Sequence, residues 1–219
     1  MKPVRIGIVD GPLAAALSSA VEAVARFGDS AGQPGRAGLA HGTHVARLVL
    51  EGLPTARLLS AQVFHDGLDA SVSDVAQAIA WLAAQRVDVI NMSFGLRSRS
   101  PVLEAACRQA REAGVLLVAS APARGGAVYP AALGSCFAVS GDARCRAGEV
   151  SWLGLQGVDF GTHPFLERDS AARGGGASYA AARFSGLVGA LLARGVPAPE
   201  VRAQLFLKAA WVGPERRYG

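Results

Sequence analysis

Gly174-Gly175-Gly176-Ala177-Ser178-Tyr179-Ala180-Ala181-Ala182-Arg183-Phe184, continuing to Leu192, decides how the rest of the chain is read. A glycine run gives way to small, strong helix formers, and Phe184, Leu187, Val188, Leu191 and Leu192 then recur at three- and four-residue intervals. That spacing predicts a helix with one face in a core. Ser178 falls at its N-terminus, where free backbone N–H groups and the helix dipole favour negative charge. An acyl-transfer nucleophile gains most at such a place, because its own N–H can face a developing oxyanion. A serine there can equally be a plain N-cap, so the reading depends on what else the chain supplies.

The surrounding chain has 219 residues, enough for one domain with a sizeable core, and we read residues 1–219 as a single compact unit. Half the residues are hydrophobic and 18% are charged, which suits a packed α/β domain and argues against disorder. The net charge of +5 comes from scattered residues, almost all Arg, with no basic helix or aromatic-basic platform, so nucleic acid is not an expected partner. Apolar runs are short or interrupted by charge, and no membrane span is expected. Cys107, Cys136 and Cys145 have no paired spacing, which predicts reduced thiols, no zinc site and a cytoplasmic protein. The N-terminus leads directly into a strand pattern without a signal-peptide core.

Val4 to Asp10 reads as an apolar strand ending in an acid and stopped by Gly11-Pro12. Functional groups gather at the carboxyl ends of strands in open α/β sheets, which makes Asp10 a candidate; as a turn former it would need no chemistry. Leu13 to Arg26 reads as an Ala-rich helix and Gly28 to Gly38 as a loop. His41-Gly42-Thr43-His44-Val45-Ala46 opens a short helix to Leu50. Two histidines three apart lack the Glu of a His-Glu-x-x-His metal site. Either His41 or His44 could be a general base held at its other nitrogen by a carboxylate, with the other packed in the core. Strands are expected at Arg57 to Phe64, Val87 to Gly95, Val115 to Ala119 and Phe137 to Ser140, and helices at Ser73 to Gln85, Pro101 to Gly114 and Pro199 to Ala210. This alternation implies a three-layer, doubly wound, mostly parallel sheet with helices on both faces. Gly141 to Gly175 reads as irregular, with His163 a loop residue, and Pro214 to Gly219 as a frayed tail.

Asp10 after a first strand, His41-Gly42-Thr43-His44-Val45-Ala46 and Gly176-Ala177-Ser178-Tyr179-Ala180 together resemble the three active-site motifs of the subtilisin-like serine peptidases, in the family's Asp, His, Ser order. Val89 to Gly95 resembles the substrate-cleft strand and Tyr129-Pro130-Ala131-Ala132 a later cleft segment, so the likeness spans about Val4 to Leu192. The resemblance implies that Ser178 attacks the scissile carbonyl, that His41 takes its proton and passes it to the leaving amine, and that Asp10 orients His41. His44 then becomes structural. It also implies that an extended peptide adds as a strand beside Phe94, Gly95 and Leu96, without cofactor or metal.

Several positions depart from the family pattern. Ala123 stands where the oxyanion Asn belongs, and it offers no side-chain donor; loss of such a donor costs about 10²- to 10³-fold in rate. Arg124 is the neighbouring candidate to replace it. Ala177 replaces a Thr, Tyr179 a Met, and Ala182-Arg183 a Pro-His pair, with Arg183 expected to extend its charge to water. Gly11-Pro12 follows the Asp in place of Ser/Thr-Gly, and Leu96 and Asp69-Ala70-Ser71 occupy places that often carry glycines. No folding propeptide and no acidic loop for calcium are expected. These features suggest a serine endopeptidase of narrow specificity, such as one that processes a dedicated precursor peptide. The competing readings are a degenerate peptide-binding module, favoured by Ala123, and another acyl transfer such as ester hydrolysis or peptide ligation.

Overall fold

A computed structural model describes residues 2–28, 35–166 and 175–215. Among these, nine strands form one sheet in the order β2-β3-β1-β4-β5-β6-β8-β7-β9. They are β1 (Arg5–Asp10), β2 (Val21–Arg26), β3 (Arg57–Gln62), β4 (Val89–Met92), β5 (Leu116–Ser120), β6 (Cys136–Gly141), β7 (Val150–Leu155), β8 (Val158–Thr162) and β9 (Trp211–Val212). All pairings are parallel except β7 with β8. The helices are α1 (Arg36–Gly52), α2 (Val72–Ala84), α3 (Pro101–Glu112), α4 (Ala177–Ala193) and α5 (Val201–Leu207). One core joins α2 and α3 to one face of the sheet, through Ile79, Leu82 and Leu103. A second joins α1, α4 and α5 to the other, through Val45, Val49, Phe184, Val188 and Leu205. The fold is the three-layer, doubly wound α/β arrangement implied by the pattern.

Strand alternation aims the polar residues. Ile6 and Ile8 of β1 belong to the α1/α4 core, whereas Val9 belongs to the α2/α3 core. With a period of two, Asp10 therefore faces α1 and α4. On β4 the same period puts Val89, Asn91 and Ser93 on the α4 side, and Ile90 and Met92 on the other. Val9 pairs with Met92, so Asp10 and Ser93 leave the sheet at the same level. The chain runs outward from β1 through β3 on one side and β4 on the other, a reversal of strand order that opens a crevice at the strands' carboxyl ends.

Small residues set how closely the elements approach. A Cβ on Gly186 of α4 would lie 2.5 Å from the Val49 carbonyl and 3.0 Å from the Gly52 Cα of α1, so these helices cross with backbones in contact. A Cβ on Gly11 would overlap the Gly38 carbonyl, and one on Gly42 would meet the Gly11 and Pro12 carbonyls. The turn after β1 thus sits directly against the first part of α1. These contacts bring the ends of β1, α1 and α4 to one point.

The structure corrects several expectations. Leu13 to Arg26 is not a helix: a 3-10 turn at Ala15–Leu17 precedes β2. The Ala content favours a helix locally, but the free edge of β3 offers ladder partners, and Val21, Ala23 and Ala25 turn their half-buried faces inward in strand alternation. The region from Gly141 to Gly175 holds the β7–β8 hairpin, whose short strands are punctuated by Gly154 and Gly157. α1 begins at Arg36, inside the expected loop, whose residues 29–34 lie outside the described residues. So do Gly174 of the glycine run and residues 216–219 of the tail. Trp211–Val212 adds a ninth strand after α5. Arg183 does not reach water. Its side chain is 6% exposed and lies 3.3 Å from the Glu51 carboxylate, because the tight α1–α4 crossing covers that face.

Candidate active site

Asp10 is fully buried at the end of β1. His41, in α1, presents Nδ1 at 2.8 and 3.0 Å from its two carboxylate oxygens, and the Gly11 N–H donates to Oδ1 at 2.7 Å. With a carboxylate accepting at Nδ1, the proton sits there and Nε2 is left as the basic nitrogen. Burial pushes the Asp10 carboxyl above its ordinary range, opposed by the His41 hydrogen bond and charge and by the Gly11 N–H. Burial alone would lower the His41 pKa, but the Asp10 hydrogen bond and charge outweigh it and raise it above the usual value.

Ser178 is the second residue of α4. Gly176, before the helix, has φ +146°, a backbone conformation that L side chains rarely adopt, which explains a glycine there better than any lack of space. Gly176 is tied by its N–H to the Pro164 carbonyl at 2.9 Å. The Ser178 hydroxyl donates to the Ser93 carbonyl at 3.0 Å, and the Ser93 hydroxyl donates back to the Ser178 carbonyl at 3.1 Å. Asn91 Nδ2 donates to Ser93 Oγ at 2.9 Å, and the Ser185 hydroxyl lies 2.9 Å from Asn91 Oδ1. This polar ladder pins the N-terminal half of α4 to the end of β4. Among the described residues the Ser178 N–H has no bonded acceptor.

His44, one turn after His41, is half-buried and takes no carboxylate partner among the described residues; Asp10 bonds to His41 alone of the two. Tyr179 stacks on the His41 ring and meets the edge of His44. Ala123 and Arg124 lie exposed on the loop after β5, lining a cavity of about 340 Å³ with Ser140, Gly141, Asp142 and Pro164. Arg124 makes no hydrogen bond to the triad candidates. Phe94 packs edge-on against Phe64 at 6.5 Å, and its carbonyl accepts from Ser120 Oγ. Leu96 exchanges both backbone hydrogen bonds with Tyr129 at 2.8 Å, so its main chain is already paired. Gly95 keeps both backbone polar groups free of protein partners among the described residues.

The structure therefore brings Asp10 and His41 together, sets Ser178 beside the same crevice and separates out Leu96. Sequence reasoning missed the Ser93–Asn91–Ser185 ladder. Its signal was two polar residues on one face of an otherwise apolar strand. His163, read as a loop histidine, is buried after β8 with Nδ1 3.0 Å from the Cys145 carbonyl. All three cysteines are buried with free thiols. Among the described residues no group of His, Cys, Asp and Glu has a metal-holding arrangement, and no helix is long and apolar enough to cross a membrane.

Comparison with known proteins places the chain in a family and its fold beside solved structures. A family model described as Peptidase_S8, Subtilase family, matches residues 22–219. The minor extracellular protease Epr of Bacillus subtilis (strain 168) is 36% identical over 112 residues, covering 46% of this chain and 17% of Epr. The halolysin-like extracellular serine protease Nep of Natrialba magadii is 42% identical over 118 residues, 49% of this chain and 22% of Nep. Subtilisin Savinase of Lederbergia lenta is 35% identical over 113 residues, 47% and 42% of the two chains. The matched stretch is thus less than half the length of each of these relatives. Among solved structures, the prenylagaramide maturation protease PagA superposes with TM-score 0.64 at 21% identity, covering 91% of this chain and 81% of PagA. The protease domain of PatA superposes with TM-score 0.65 at 23% identity, covering 93% and 82%. These two likenesses are likenesses of fold.

Proposed function

The chain belongs to the subtilase family, and on that premise we propose that it is a serine endopeptidase working through Asp10, His41 and Ser178. The observation that carries the reading is the 2.8 Å contact between His41 Nδ1 and a carboxylate with no exposed surface. A buried Asp at Nδ1 leaves Nε2 as a base, and the residue at the start of α4 is the serine that such a base would serve. In the resting arrangement the Ser178 hydroxyl is held by the Ser93 carbonyl. On this reading the hydroxyl leaves that carbonyl and turns to His41 Nε2, which takes its proton as attack begins. Attack on a peptide carbonyl then yields a tetrahedral oxyanion at the Ser178 N–H, which has no acceptor among the described residues, and the protonated His41 passes its proton to the leaving amine. The acyl-enzyme is hydrolysed by water activated in the same way.

Substrate enters as an extended strand on Gly95, whose backbone groups have no partner among the described residues, while the Leu96–Tyr129 pairing restricts that edge to a short register. The restriction, with Ala123 in place of a side-chain donor, motivates narrow specificity such as the processing of a precursor peptide. The proposal takes residues 1–219 as one peptidase domain. It also places the protein in the cytoplasm, where buried free thiols stay reduced, although Epr and Nep are named as extracellular. A second reading, a peptide-binding module without turnover, is favoured by Ala123 alone. Incubation with a mixed peptide library, read by mass spectrometry, separates the two. New termini that disappear in Ser178→Ala support the peptidase. Peptides retained intact by both proteins support the module.

A further inference from the structure

Tyr179 lies between two histidines. Its ring stacks on the His41 imidazole, with centroids 5.8 Å apart and planes 28° from parallel. It meets His44 edge-on at 6.0 Å and 83°, with its hydroxyl 3.4 Å from His44 Nδ1. Both histidines come from α1, one turn apart, and Tyr179 from the first turn of α4. The two helices that carry the base and the nucleophile therefore meet here through side chains, as they meet through glycine backbones further along.

An imidazole bonded only at Nδ1 can still rock about that bond, and rocking sweeps Nε2 away from a serine. A flat aromatic wall on its face removes this freedom, but the wall must itself be fixed. The second side-chain torsion of a tyrosine sits in a broad well, and a hydrogen bond at the far end of the ring narrows it. Phenylalanine would supply the wall without the anchor, and an aliphatic side chain neither.

We propose that Tyr179 is a positioning residue for His41, its ring bracing the imidazole and its hydroxyl donated to His44 Nδ1 as an anchor; this rests on the reading of His41 as the general base. The anchor needs His44 neutral, with its proton on Nε2. The groups facing it are Arg47 and His41 from α1 and Tyr179 from α4, with Asp10 of β1 behind His41. Burial lowers the His44 pKa, and the charges of Arg47 and His41 lower it further. Burial and then the charge of Asp10 raise that of Tyr179, so the phenol remains the donor. His44, otherwise a packed histidine, thereby acquires a task.

The test combines Tyr179→Phe, His44→Ala, the double variant and Tyr179→Leu. Each of the first two lowers kcat about two- to fivefold, the worth of one long hydrogen bond, with KM unchanged within about twofold. The double variant falls no further than either single one, because both remove the same bond. Tyr179→Leu, losing the wall as well, falls about tenfold or more. A second readout needs no turnover: in an NMR titration of the histidine rings, Tyr179→Phe moves the His44 pKa upward, since the donor that favours neutral imidazole is gone. Multiplicative losses in the double variant, or a His44 titration unmoved by Tyr179→Phe, overturn the proposal. A wild-type protein that cleaves nothing would instead count against the peptidase reading, and the titration would still decide the anchor.

Discussion

Replacing Asp10 by Asn changes one atom of the site and should remove most of its activity. The side chain keeps its volume in a place with no exposed surface, and its oxygen can still accept the Gly11 N–H. The amide nitrogen that replaces Oδ2, 3.0 Å from His41 Nδ1, is a donor and favours the ring form in which Nδ1 accepts. The imidazole proton moves to Nε2, the nitrogen that has to take the proton of Ser178. In another triad the same substitution costs about 10⁴-fold in kcat, or about 5 kcal/mol of transition-state stabilisation. The pH profile carries a second signature. A general base works as the neutral imidazole, so wild-type activity is lost as pH falls through the His41 pKa. Burial would lower that pKa, but the Asp10 hydrogen bond and charge raise it above its ordinary 6.5. In Asp10→Asn both raising contributions vanish, and the acidic limb moves to lower pH. The assay is kcat/KM on the fastest-cleaved library peptide, from about pH 5 to pH 9, on protein shown to be folded by circular dichroism. A variant within about tenfold of wild type, with its acidic limb in place, would refute the assignment of Asp10 as the orienting carboxylate.

Three further substitutions probe other parts of the account. Ala123→Asn supplies the missing side-chain donor and should raise kcat, by up to about 10²-fold if the loop presents it to the oxyanion; unchanged turnover would mean that the loop points elsewhere. Gly186→Ala forces a methyl to within 2.5 Å of the Val49 carbonyl at the α1–α4 crossing, so urea unfolding should show a loss of about 1–3 kcal/mol. kcat should fall with it, because the helices carrying His41 and Ser178 are pushed apart. Arg144→Ala removes a clamp whose Nη2 lies 2.7 Å from Asp142 and 2.8 Å from the Gly213 carbonyl. Hydrogen exchange around β9 should speed up, and stability at neutral pH should drop by about 1.5–3 kcal/mol. Burial would raise the Asp142 pKa, but the hydrogen bonds and charge of Arg144 lower it. The wild type therefore holds this contribution above the ordinary carboxylate pKa and loses it as pH falls through the lowered one, a dependence that Arg144→Ala should flatten.

What could be read in the chain beforehand follows from the range of the physics involved. Asp10 and Ser178 stand at the ends of segments whose periodicity is local, and His41 in the second turn of another, so their places followed once those segments were recognised. β2 escaped because its Ala-rich sequence favours a helix, and only the edge of β3, more than thirty residues on, turns it into a strand. Arg183 looked like a surface cation. Its burial depends on glycine contacts between helices that no local pattern reveals. The partnership of Tyr179 with His44 spans 135 residues. The expectation for Leu96 missed its pairing with Tyr129 for the same reason: a backbone partner supplied from a distant loop leaves no periodic trace.

The central claim is that Ser178 is an activated nucleophile, and reaction with a fluorophosphonate probe tests it without knowledge of the substrate. Intact-protein mass spectrometry should show one adduct on the wild type, mapped to Ser178, and none on Ser178→Ala or His41→Ala. A folded wild type that takes no label, or takes it at another residue, would contradict the account.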